Sequence, residues 1–196
     1  MELAILFPIL VIALVILAVW AIVTYNSLVK IRNLVQEAWR QIDVELQRRH
    51  DLIPNLVEAV KGYAKHEKET FEAVTRARAA AAAPGSTPAE QAGQENILTQ
   101  ALGRLFAVAE AYPQLQANEN FIQLQQELTN TEDRVAAGRR FYNANVRTLN
   151  TKVETFPTLL IANLFGFKRA EYFETEDEAA RKAPSVNFEA PPTEAP

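Results

Sequence analysis

Residues 28–49 read LVKIRNLVQEAWRQIDVELQRR, and in this stretch Leu28, Ile31, Val35, Ala38, Ile42, Glu45 and Arg49 recur at alternating spacings of three and four. That spacing sets side chains on one stripe of an α-helix, and a mostly apolar stripe needs partner helices to cover it. Three further stretches carry the same period. One runs from about Leu52 to Ala83 through Ile53, Val57, Val60, Ala64, Glu67, Phe71, Val74 and Arg78, and stops at Pro84-Gly85-Ser86. Another starts near Pro88, shows Gln94, Leu98, Ala101, Leu105, Val108 and Tyr112, and ends at Pro113. The last starts at Asn118, a suitable N-cap, runs through Phe121, Leu124, Leu128, Thr131, Val135, Gly138, Tyr142, Asn145, Leu149 and Val153, and is ended by Pro157.

Four such helices with short connections cover one another as an up-and-down bundle. The expected fold is therefore all-α, an N-terminal transmembrane helix followed by a four-helix bundle. The junction Arg48-Arg49-His50-Asp51-Leu52-Ile53-Pro54 has no glycine and keeps the seam in phase through Arg49, Leu52 and Leu56. One helix kinked at Pro54 is an alternative. A turn is the preferred reading, because a continuous rod would leave the first stripe short of partners.

The chain has 196 residues, no cysteine, 6 glycines and a net charge of -4 from 20 basic and 24 acidic side chains. That length suits one domain with appendages. Without cysteine there is no disulfide framework, thiolate nucleophile or Cys-based metal site. No stretch carries the dense Lys and Arg excess expected of a nucleic-acid surface.

Upstream of the bundle, Leu3 to Val23 are 21 residues without a charge, and 15 of them are Leu, Ile, Val or Phe. A helix of that length spans roughly 30 Å, the thickness of a bilayer's hydrocarbon core. Trp20 and Tyr25 suit its interfacial belt, and Pro8 lies near its start, where a lost hydrogen bond costs least. The opening Met1-Glu2 lacks the basic start of a cleavable signal, so a retained anchor over 1–25 is expected. Lys30, Arg32 and Arg40 follow it, which by the positive-inside rule places the bundle, 26–173, in the cytoplasm, beneath a single-pass anchor.

An up-and-down order returns the chain to the bilayer after the fourth helix. There stands the apolar segment 156–169, in which Phe156, Leu159, Leu160, Phe165, Phe167, Lys168 and Arg169 are the candidate membrane-interface residues. The alternative is that it folds back and plugs the end of the bundle. Residues 174–196, acidic and rich in proline, read as a disordered tail.

Several groups of residues resemble the LemA family of bacterial membrane proteins. They are Tyr25-Asn26-Ser27-Leu28-Val29, Ala38-Trp39-Arg40-Gln41-Ile42-Asp43-Val44, Arg48-Arg49-His50-Asp51-Leu52-Ile53-Pro54-Asn55-Leu56-Val57, Lys61-Gly62-Tyr63, His66-Glu67 and Ala77-Arg78. Leu105-Phe106-Ala107-Val108-Ala109-Glu110-Ala111-Tyr112-Pro113, Asn118-Glu119-Asn120-Phe121, Phe141-Tyr142-Asn143 and Phe165-Gly166-Phe167 continue the match, which covers about Tyr25 to Phe173. The resemblance implies a transmembrane helix followed by a helical bundle, and it supplies no catalytic motif.

The polar residues agree with that reading. His66-Glu67 fails as a zinc-protease motif because Thr70 stands where the second His belongs. Gln47 before His50 and Tyr63 before His66 fail as di-iron ligands, and no phosphate-binding glycine loop occurs. No cofactor and no enzyme activity are expected.

The charges on the stripes, Glu45, Arg49, Glu67 and Arg78, are expected to pair with one another or with Thr131 and Asn145 in a polar layer. Arg48, Arg49, Asp51 and Asn55, at the supposed membrane-distal turn, form the candidate interaction surface. Trp39 reads as a packing anchor. Together these features suggest a membrane scaffold or adaptor whose partners are the lipid bilayer and other membrane proteins, with a homo-oligomer possible and nucleic acid excluded. The rival of a different class acts directly on lipid through 156–169.

Overall fold

The computed structural model describes residues 2–174, with side chains from Leu6 onward. Its six helices are α1 (Glu2–Lys61), α2 (Lys68–Ala81), α3 (Pro88–Glu110), α4 (Pro113–Gln116), α5 (Glu119–Glu154) and α6 (Thr158–Leu164). Helix α1 runs for 60 residues, about 90 Å at 1.5 Å per residue. Its first part is long and apolar enough to cross a membrane, and the Leu, Ile, Val and Phe residues of 6–23, Phe7, Ile12 and Leu17 among them, are exposed. Beyond it, Leu28, Ile31, Val35, Ala38 and Ile42 are buried, as their spacing demands.

The expected turn at 48–54 is absent: α1 continues through Pro54. Proline lacks the N–H that would bond the carbonyl of residue 50, so an interior proline normally leaves that acceptor unpaired. Here Arg78 Nε, from α2, donates to the His50 carbonyl at 2.6 Å and takes the missing donor's place. The helix break falls later, at Gly62–Glu67. Arg78→Met in the Pro54 protein should cost about 1.5–3 kcal/mol of stability. With Pro54→Ala, whose N–H restores the helical bond, the same change should cost at least about 1 kcal/mol less. Equal costs in a double-mutant unfolding cycle would show that Arg78 does not substitute for the lost donor.

From the true break the chain alternates as the up-and-down reading requires. Helix α2 comes back beside the end of α1, α3 goes out again, and α5 runs the full distance home antiparallel to α1. Thr87 begins α3 with a capping box, Glu90 N–H donating to Thr87 Oγ1 at 3.4 Å and Thr87 N–H to Glu90 Oε2 at 2.8 Å. Asn118 caps α5 through Phe121 N–H at 3.1 Å.

Two cores result. The distal one joins Ile53, Leu56 and Val60 of α1 to Phe71 and Val74 of α2, Leu98 and Leu105 of α3, and Phe121 and Leu128 of α5. The other lies along a two-helix stalk, where Leu28 to Leu46 of α1 meet Tyr142, Val146, Leu149 and Val153 of α5. The stalk helices approach closely at Gly138, where a Cβ would stand 3.0 Å from Ile42 Cγ1.

The partners that the stalk seemed to lack come from the chain after α6. After a turn at Phe165-Gly166, residues 167–173 run back along α1 and α5 as a strap, with Phe167 and Phe173 buried. Asn150 clasps it by accepting from Ala170 N–H at 2.8 Å and donating to the Ala170 carbonyl at 3.0 Å. Asn143 holds Phe173 in the same way at 2.9 and 3.4 Å. Seven helical residues advance about 10.5 Å and three extended ones about 10 Å, so the two clasps are in register.

Tyr142 completes the attachment, its hydroxyl donating to the Glu171 carbonyl at 2.8 Å. Burial, and secondarily the Glu171 charge, push the Tyr142 phenol up to about 12 from 10.0. Its neutral form is thus the one the fold favours, and its share of stability is whole below pH 10 and lost as pH rises toward 12. Thermal unfolding across that window should show a steeper alkaline fall for the native chain than for Tyr142→Phe. Parallel curves would contradict this.

Candidate functional site

At the junction of the two cores, where four helices narrow to two, α1 brings Arg49 and His50 inward on adjacent positions. Arg49 Nη1 donates to Glu95 Oε2 of α3 at 2.6 Å, and His50 Nε2 to Glu95 Oε1 at 2.7 Å. Arg49 Nη2 also reaches Thr99 Oγ1 and Glu132 Oε1 of α5, each at 2.8 Å. Gln91 Nε2 adds a bond to Glu95 Oε1 at 3.1 Å. The side chains of Arg49, His50 and Glu95 are 5%, 4% and 8% exposed, so little water screens the pairs.

Arg49 Nε is buried with no hydrogen-bond partner. A cavity of about 280 Å³ adjoins the cluster, walled by Arg49, Glu95, Thr99, Glu132 and Arg139 on its polar side and by Val135, Ala136 and Phe173 on its apolar side. A small acceptor group could meet Arg49 Nε there. Among the described residues, no group of three His, Asp or Glu is placed to hold a metal ion.

The expected polar layer thus exists with different members. Arg49 pairs with Glu95 and Glu132, whereas Glu45 faces Arg48 at 3.4 Å and Arg134 at 3.7 Å. Thr131 and Asn145 bond carbonyls of their own helix, of Glu127 and Phe141. Of the candidate interaction residues, Arg48, Asp51 and Asn55 are exposed along one face of α1, Asp51 accepting from Gln47 at 2.9 Å. Arg49 lies inside, apart from them. Because α1 does not turn at Pro54, these residues flank the side of a rod, and the far end is made by Gly62–Glu67 and Ala111–Asn118. Trp39 packs against Tyr142 and Phe173, ring centroids 5.5 Å away in each case.

At the other end, α6 lies beside the place where the apolar run of α1 finishes. Tyr25 meets Phe165 at 4.7 Å and Phe167 at 5.8 Å, and Trp20 and Ala21 pack against the same core. The segment 156–169 is partly folded back and partly exposed. Ile161, Ala162 and Phe167 plug the end of the stalk core, while Phe156, Leu160, Leu164 and Phe165 are 73%, 56%, 75% and 56% exposed. Leu159 is half-buried, and Lys168 and Arg169 are exposed, Arg169 pairing with Glu154 at 2.8 Å. Leu164 was not singled out by the sequence pattern, although it is the most open of the apolar set.

A rod of helices with a strapped stalk, a buried ion cluster and an N-terminal extension long and apolar enough to cross a membrane places the chain among all-α proteins with one candidate membrane span. Within that class, the chain belongs to the LemA family, whose model matches residues 38–188. It is similar to Magnetosome protein MamQ 2 of Paramagnetospirillum magneticum, at 29% identity over 76% of this chain and 64% of the relative. Magnetosome protein MamQ of Magnetospirillum gryphiswaldense is 28% identical with the same shares, 76% and 64%. Protein LemA of Metamycoplasma hominis is 27% identical over 78% of this chain and 69% of the relative. The chain therefore spans slightly less than two thirds of the MamQ proteins.

Proposed function

We propose that the chain is a non-enzymatic, single-pass membrane scaffold whose head faces the cytoplasm and engages other membrane-associated proteins, a second copy included. The observation that carries this reading is the continuity of α1 through Pro54. Val23 to Lys61 is 39 residues of unbroken helix, which can hold the far end of the four-helix head about 57 Å beyond the anchor. Tyr63 and Ile122, exposed at that end, offer an apolar docking spot next to polar neighbours.

Photo-crosslinkers at positions 63 and 122 in living cells should capture discrete protein partners that a crosslinker at Val44, on the side of the rod, does not. Equal background capture at all three positions would argue against a scaffold. Protease added to intact spheroplasts should leave the head uncut, and its digestion from outside would reverse the orientation.

A second reading is favoured by the apolar face of Phe156, Leu160, Leu164 and Phe165 beside the end of the anchor. In that reading the segment lies in the lipid headgroup region and organises the bilayer around it. In full-length protein, Leu160→Asp with Phe165→Asp should withdraw the segment from lipid without loss of helix content.

A further inference from the structure

The net charge of -4 conceals a segregation along the rod. Residues 24–49 and 134–173, which make the stalk, α6 and the strap, hold twelve Lys and Arg against five Asp and Glu, a net of +7. Residues 50–133, which make the head, hold six against twelve, a net of -6. The linear sequence hides this because the two basic stretches are separated by the whole acidic head.

At the anchor end the basic excess becomes a collar. Arg32 lies with its guanidinium 5.1 Å from the Phe167 ring centroid, which places it beside the start of the strap. Lys152 of α5 donates to Ser27 Oγ, so it stands one turn beyond the apolar run. Lys168 and Arg169 follow Phe167 in the strap, and Glu154 pairs with Arg169. By helix rise, Ser27 and Arg32 lie about 6 and 13 Å beyond Val23, so at physiological salt only the first is within one Debye length (about 8 Å) of a headgroup plane at that level, while at about 0.01 M salt (about 30 Å) both are. The exposed Phe156, Leu160, Leu164 and Phe165 adjoin the collar on its lipid side.

We propose that this collar is a binding site for anionic phospholipid, with acyl chains against the exposed face of α6 and the phosphate among Arg32, Lys152, Lys168 and Arg169. The proposal rests on the reading that α6 lies in the headgroup region, and it adds selectivity for the sign of the lipid. The charge complementarity and the continuity of the collar with the anchor both point to lipid as the occupant.

The test uses the full chain in phosphatidylcholine bilayers carrying spin-labelled phosphatidylglycerol or spin-labelled phosphatidylcholine as probe. The anionic probe should be immobilised at least about threefold more strongly at low salt, falling toward parity near 1 M salt. The variant Arg32→Gln with Lys168→Gln and Arg169→Gln should fall to parity at low salt, whereas Lys61→Gln with Lys65→Gln and Lys68→Gln at the far end should keep the preference. A native protein without preference would overturn the proposal, whatever the stability of the variants, and so would a preference that survives in the collar variant.

The chain has no cysteine, so Leu164→Cys accepts a single spin label whose accessibility to oxygen and to a nickel chelate reports depth. A label in water would refute the headgroup reading itself. A label in lipid together with lipid parity would refute only the selectivity.

Discussion

Glu95→Ala lowers the stability of the folded chain by about 3–5 kcal/mol, because it leaves Arg49 and His50 buried without their shared carboxylate. Glu95 accepts from both at 2.6 and 2.7 Å, joining them to α3. Glu132 cannot take over, since its side chain is 43% exposed and already holds Arg49 from the other side. The loss is read by chemical unfolding of the full-length protein in detergent, followed by far-ultraviolet circular dichroism. Combining Arg49→Met with Glu95→Leu should recover at least about half of the loss, because removing both charges is far less costly than orphaning one. A Glu95→Ala protein within about 1 kcal/mol of native would mean that water reaches the cluster freely.

Trp39→Ala is the second large effect, at about 3 kcal/mol, since it opens a void between α1, α5 and the strap. The Trp39 ring touches Tyr142, which bonds the strap, and Phe173, which ends it. The substitution should therefore do more than lower the unfolding midpoint. It should make residues 166–173 cleavable by protease under native conditions while α2 and the part of α3 from Leu98 on, which belong to the other core, stay protected. Uniform protection after the substitution would show that Asn143 and Asn150 hold the strap unaided.

These two sites also mark where the sequence is legible and where it is not. The stripes Leu28 to Ile42 and Phe121 to Val153 are local patterns, and their residues are buried or half-buried as the 3.6 period requires. The breaker at Pro84 and the cap at Asn118 are likewise local chemistry. The continuation through Pro54 is not, because the donor that rescues the His50 carbonyl stands 28 residues away on another helix. Gly62 was the available signal for the true break.

Arg49 was recognisable as a buried charge, but its partner Glu95 lies 46 residues further on, next to the stripe position Gln94. Counting Gln91, Glu95, Leu98, Leu102 and Leu105 as the buried face of α3 would have found it. The strap left no periodic trace, since it is held by its backbone through two asparagines whose role only the fold reveals. The return of the chain to the anchor end followed from topology alone, and α6 stands there beside Tyr25. The acidic tail from residue 175 on lies outside the described residues.

The most direct test of the whole account is the height of two points above a bilayer. Single-cysteine variants Leu164→Cys and Lys65→Cys, each carrying a donor dye, are placed in vesicles whose outer surface carries acceptor lipid. The account predicts strong transfer from position 164 and weak transfer from position 65, with the far end about 50 Å or more from the surface. Equal, strong transfer from both positions would mean that the rod lies flat or breaks at Pro54, and the scaffold reading would fall with it.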